Sequence, residues 1–503
     1  MNKKKLGLLA LTMSVMMSFA ACSSKTAAPK STENSGKTSE ATYEATMAYI
    51  QFGNTPADLQ LVQDEVNKIT VPKINVKVKL MPISMTQYTQ QLNLMLSGSE
   101  KLDLVSVFND FYSGLIAKGQ LLPLDDLLNK YGSGIKSVIS ADYLKATTFN
   151  GKIYGVTSSY DISKPIGIVL KKDLVDKYNI DMTKVKTMQD LETVLQTIHE
   201  KEPNTPLLSK PLAGTYGALG FYTDYVDPLT DGNTGVLMSK DNLKVVNYYE
   251  TEEYANLVKL MRKWYQAGYI KKDIATSKDE GWADMKAGKA SGMLSTVNVY
   301  GEYTDSISHG VQVVEQAISP AYLTTTSISG HMWSIARNSE KPEKAMQLLD
   351  LLYTNAELNN LLIYGIEGKH YVKTSEANVI DYPQGVTATT VGYSGLNWQF
   401  QNMSIAYIQK GTPADYWTKV KEANAKMIKS PALGFAFDPA PVKTEVAAVT
   451  NVINQYKVPL ESGTVDPEKV LPEFISKLKA AGMDKIIAEK QKQLDTWAQA
   501  NKK

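Results

Sequence analysis

The chain has 503 residues, a formal net charge of +2, 43% hydrophobic residues and one cysteine, Cys22. A lone thiol closes no intrachain disulfide, so stability rests on core burial, and a charge so near zero supplies no field for nucleic acid. The body beyond the N-terminal tail is longer than one hydrophobic core supports, about 300 residues at most, which predicts two lobes.

Met1 to Lys5 is a basic start, Leu6 to Ala20 an uncharged apolar run, and Ala20-Ala21-Cys22-Ser23 a small-residue close. This pattern predicts a secretory signal and not a membrane span, which needs about 20 apolar residues. Cysteine directly after Ala-Ala resembles the bacterial lipobox, with Phe19 where leucine is usual. Residues 1–21 are therefore expected to be a lipoprotein signal peptide and Cys22 the lipid anchor to the membrane. Residues 22–42, rich in Ser, Thr, Lys and Ala, read as a flexible tether.

Order is expected from the strand 45–52. Thr55-Pro56-Ala57-Asp58 reads as a helix start, with Thr as cap and Pro at the first helical position. Leu59, Val62, Val66 and Ile69 then recur on one helical face. Ile74, Val76, Val78 and Leu80 alternate as a strand. Ser84 opens a second helix carrying Tyr88, Leu92 and Met95, with Gly98 past its end. Leu102 to Phe108 is a buried strand. Strand–helix–strand–helix–strand is an open α/β sheet, and ligands bind beyond the carboxyl ends of such strands. That rule singles out Phe52, Asn54, Phe108, Asn109 and Asp110.

Asn150-Gly151 marks a turn. The short polar passage Thr157 to Asp161 suits a hinge between lobes, and 320–326 a second crossing. Helices are expected within 253–267 and from Glu343. Beyond Ser430, three apolar stripes predict helices around Val449, Phe474 and Leu494.

These pieces together resemble the extracellular solute-binding lipoproteins of ABC importers, of the carbohydrate-uptake type. The resemblance rests on Phe149-Asn-Gly-Lys-Ile-Tyr-Gly155, Gly288-Lys-Ala-Ser-Gly-Met293, Lys341-Pro-Glu-Lys-Ala-Met346, and Ser430-Pro-Ala-Leu-Gly-Phe435 through Gln491-Lys-Gln-Leu-Asp-Thr-Trp497. The last of these is similar to the extra C-terminal module of a Firmicutes subgroup. The resemblance implies an α/β architecture, the type II periplasmic-binding-protein fold, with two α/β lobes, crossover hinge strands and a central cleft. It divides the body into lobe 1 (43–158 plus 323–365), lobe 2 (159–322 plus 366–429) and a C-terminal helical module (430–503). It also implies an oligosaccharide ligand, ABC permease subunits as partners, and a monomer without catalysis or cofactor.

A carbohydrate cleft needs flat aromatic faces for the C–H side of a pyranose and planar polar groups for its hydroxyls. Phe52 with Asn54, and Phe108 with Asn109 and Asp110, meet that test, the alternative being that both rings are core plugs. Tyr160 and Asp161 lie at the hinge, where a structural turn is the other reading. In related sugar binders the segment of Asn298 and Tyr300 carries a cleft aromatic. Trp333 reads equally as core or platform. Trp398 with Gln399, in a Gly-led loop, reads as a stacking platform, and His370 as a ligand contact or a cap on its lobe.

Arg262 and Arg337 are the only arginines. Sites that clamp anions through two parallel hydrogen bonds favour arginine, so a neutral ligand fits better than a polyanion. The four histidines, at 199, 309, 331 and 370, have no zinc spacing, and no nucleophile elbow or P-loop is present. Asp224, Asp227 and Asp231-Gly232-Asn233 resemble a calcium loop loosely but lack its terminal glutamate, so no metal is expected. A peptide-binding importer lipoprotein and an exported polysaccharide-degrading enzyme are the alternatives.

Overall fold

The computed structural model describes residues 41–158, 161–209, 225–230, 232, 234–277, 281–400 and 402–501. Cys22 and the signal lie outside the described residues, as do Tyr160, Asp224, Asp231 and Asn233. The first sheet has five strands in the order Val76–Ser84, Tyr43–Gln51, Leu104–Val107, Met332–Ile335, Val156–Thr157. The first three are parallel, and Met332–Ile335 runs antiparallel to both its neighbours. Tyr43–Gln51 is almost wholly buried, as a parallel strand covered on both faces must be. The helix Leu59–Ile74 covers it with Val62, Val66 and Ile69, and Tyr88–Ser97 with Tyr88, Leu92 and Leu96.

The second sheet has the order Val313–Ala317, Ile166–Lys171, Gly292–Thr296, Leu208–Ser209. The chain thus leaves the first sheet after Thr157 and returns to it at Met332. On the return, Tyr322–Leu323 pairs in parallel with Ile428–Lys429. Asn150 and Gly151 take φ of 48° and 78°, the left-handed pair that a two-residue hairpin needs, and close Thr148–Phe149 on Lys152–Ile153.

The last three helices are Lys443–Glu461, Pro467–Ala480 and Met483–Ala500. Their Val449, Leu460, Phe474, Leu478, Ile486 and Leu494 share one core with Ile168 and Leu294 of the second sheet and Tyr254, Val258 and Trp264 of the helix Glu252–Gln266. Arg262 ties the junction, donating to the carbonyls of Gly463 (2.9 Å) and Thr464 (3.3 Å).

Three local expectations need correction. Thr55 caps no helix: the helix begins at Leu59, because Asp58 is drawn into a tertiary contact with His370 (3.0 Å) and Lys369 (3.3 Å). Ser84 ends a strand and the next helix starts at Tyr88. Part of 366–429, assigned from sequence to the second lobe, packs elsewhere: Tyr393, Phe400 and Ala406 lie in the core of the first sheet.

Candidate functional site

Two groups of side chains gather where the sequence pointed. The first stands at the carboxyl ends of the parallel strands. Phe52 follows Tyr43–Gln51, and its ring is 52% exposed, a cost no core plug would incur. Phe108 follows Leu104–Val107 and is half-buried. Trp398 sits on a single helical turn, Asn397–Gln399, also half-buried. Its ring centroid lies 6.4 Å from that of Phe52 and 6.2 Å from that of Phe108. These are tilted aromatic contacts within the attractive range, and they form one apolar shelf.

His331 lies under this shelf, edge-on to Phe108 and to Trp398, each with centroids at 5.3 Å. The antiparallel register that pairs Met332 with Val107 places it there. Its ring is fixed by Ser106 Oγ at Nε2 (2.8 Å) and Ser158 Oγ at Nδ1 (3.0 Å). Burial pulls its pKa down to about 3, so it is a neutral aromatic floor at ordinary pH. Nothing in the sequence signalled this role.

The second group belongs to the second sheet and the loop after Gly292–Thr296. The Asn298 backbone N–H donates to Glu315 Oε2 (3.2 Å), and its amide donates to both Asp305 oxygens (3.1 and 3.3 Å). Lys164 donates to Asn298 Oδ1 and pairs with Asp161 at 3.8 Å. Asp161 is buried and accepts from the Val299 N–H (3.4 Å). Tyr300, at φ 53°, donates its hydroxyl to Asp415 (3.1 Å).

A Cβ on Gly301 would stand 1.9 Å from the Glu315 carboxylate, so only glycine lets this helix start so close to it. Burial first, then the neighbouring Asp305 charge, push the Glu315 carboxyl up to about 9. It is therefore protonated at neutral pH. Burial likewise raises Asp161. One oxygen each of Asp161 and Glu315 is buried without a hydrogen-bond partner. Asn298, Tyr300, Gly301 and Glu315 line a cavity of about 330 Å³. Such a cavity takes hydroxyl or amide donors and repels carboxylates.

The other candidates are held differently. Trp333 is fully buried, with Nε1 donating to the Gln399 carbonyl (2.6 Å). Gln399 is buried too. Its amide brackets Ile50, accepting from the N–H (3.0 Å) and donating to the carbonyl (2.8 Å). It buttresses the shelf from beneath and offers nothing to a ligand. His370 accepts from the Ile366 N–H (2.8 Å) and pairs with Asp58, the contacts of a cap, and it also lines a pocket with Tyr364, Tyr371 and Tyr393. Asn54 is exposed. Asn109 and Asp110 form the first turn of the helix Asn109–Ala117. Asp227 is buried and committed to the Leu229 N–H (2.8 Å) and the Ser430 hydroxyl (2.5 Å). Among the described residues no group of three metal-ligating side chains occurs, and no helix is long and apolar enough to cross a membrane.

Residues 54–358 match the family described as bacterial extracellular solute-binding protein. The chain belongs to that family. Residues 431–499 match a domain of unknown function, coincident with the three terminal helices. A carbohydrate ABC transporter substrate-binding protein of Streptococcus pneumoniae is 32% identical over 94% of each chain. Lipoprotein LipO of Bacillus subtilis is 26% identical over 72% of this chain and 73% of its own. The crystal structure of the N-glycan transport solute-binding protein NgtS from S. pneumoniae is 30% identical, covers 91% of this chain and 100% of its own, and superimposes with a TM-score of 0.81. Its complexes with Man1GlcNAc and Man5GlcNAc score 0.76 and 0.73. The solute-binding protein therefore has the type II two-lobed α/β fold that the sequence predicted.

Proposed function

We propose that this solute-binding protein captures a neutral oligosaccharide outside the cell and delivers it to an ABC importer, held to the membrane by a lipid on Cys22. The observation that carries the reading is the shelf of Phe52, Phe108 and Trp398 at the strand ends. Three rings kept partly in solvent have one economical use, stacking on a flat apolar face such as that of a pyranose. The cavity beside Asn298, walled by Glu315 in its uncharged form, supports a neutral ligand, and the match to a carbohydrate importer's receptor and to NgtS supports the glycan class. The reading is binding without chemistry.

A thermal-shift panel tests it. At 100 times its dissociation constant a ligand adds about 2.7 kcal/mol to native stability. Neutral mannose and N-acetylglucosamine oligosaccharides should raise the melting temperature, while uronic-acid oligosaccharides and peptides should not. A shift with peptides alone would move the chain to a peptide receptor, and consumption of the glycan would make it an enzyme.

A further inference from the structure

A second pocket, distinct from the shelf and from the Asn298 cavity, is lined by Tyr364, Tyr371, Tyr382 and Tyr393, with Gln409 and Ile307. Its volume is about 110 Å³, space for about four waters at the ~30 Å³ each takes in the liquid, which suits the inserted part of one sugar ring. Ring walls are what a sugar's apolar face requires, and polar groups remain at the rim. Tyr364 and Tyr393 donate their hydroxyls to the carbonyls of Tyr407 (2.7 Å) and Leu362 (2.9 Å). The Gln409 amide donates to the Tyr382 hydroxyl at 3.3 Å, leaving the Tyr382 proton and the Gln409 carbonyl for a ligand.

The placement is continuous with both groups already described. Tyr393 and its neighbour Ser394 precede the shelf residue Trp398 in the same loop, and Ser394 is an exposed wall of the pocket. Ile307 lies two turns past Tyr300 on the helix Gly301–His309. It is 37% exposed and walls the pocket from that helix. A Cβ on Gly411 would stand 3.3 Å from its Cδ1, so the two elements meet there.

We infer that this tyrosine pocket is a distal subsite that takes one terminal sugar ring of a longer glycan. Its occupant touches both the loop of Trp398 and the helix of Ile307, so chain length is read there. The inference rests on the receptor reading above.

The test compares Man1GlcNAc and Man5GlcNAc, titrated calorimetrically into the full chain and into Tyr382→Ala and Ser394→Phe, the second of which fills the pocket from its exposed rim. Each variant should bind Man5GlcNAc at least tenfold more weakly and Man1GlcNAc as the unaltered chain does. Unchanged affinity for Man5GlcNAc in both variants, or an equal loss for both glycans, overturns the subsite while leaving the receptor reading intact. No binding of either glycan to the unaltered chain overturns the receptor reading and the subsite with it.

Discussion

Trp398 and Gln399 are neighbours with opposite duties, and the difference is one of partners. Trp398 packs against the rings of Phe52, Phe108 and His331, whereas Gln399 pairs with a strand 349 residues away in sequence. Trp398→Ala should weaken glycan binding by about 1–3 kcal/mol through lost apolar contact, with an unchanged unfolding midpoint. Equal affinity in a titration would remove the shelf from the site. Local pattern made Phe52, Phe108 and Trp398 legible, because strand ends and Gly-led loops are written in consecutive residues. It named Gln399 and Asn298 but not that Gln399 buttresses Ile50 or that Asn298 joins Asp305 and Glu315, and it gave His331 no role, because those contacts come from register and long-range pairing.

Glu315 gives a pH dependence with a definite sign. Its carboxyl keeps its proton up to about pH 9 in the folded chain, whereas an unfolded glutamate loses it near pH 4.3. Between these values unfolding releases a proton, so its stabilising contribution is full at low pH and is lost as pH rises toward 9. The melting temperature of Glu315→Gln should fall less than that of the unaltered chain between pH 5 and 9. Parallel curves would show that the Asn298 N–H and the Lys164 charge hold the group ionised against Asp305.

At the scale of elements, the terminal helices are part of the second lobe's core and no appendage to it. Gly463 closes the turn between the first two of them at φ 71°, where a Cβ would stand 2.2 Å from the Met261 carbonyl. Both facts make Gly463→Ala strained, and it should cost about 2 kcal/mol or more in urea unfolding. A midpoint within error of the unaltered chain would mean that this junction is slack. The helices themselves were legible from their apolar stripes. Their docking partner was not, because an amphipathic face says that it is buried and not against what. The same limit explains Thr55: its capping signal was sound locally, and the pull of His370 and Lys369 on Asp58 overrode it.

Among the described residues the two larger sheets are joined by repeated crossings, which suits capture by hinge closure. The first 22 residues bear on location: Cys22→Ala should move the protein from the membrane fraction to the medium, and retention in the membrane would remove the lipid anchor. The most direct test of the receptor reading is a calorimetric titration of the chain with Man5GlcNAc, followed by recovery of the glycan. Saturable one-to-one binding with the glycan returned intact is the predicted result. Absence of binding to any neutral oligosaccharide, or recovery of a shortened glycan, would contradict it.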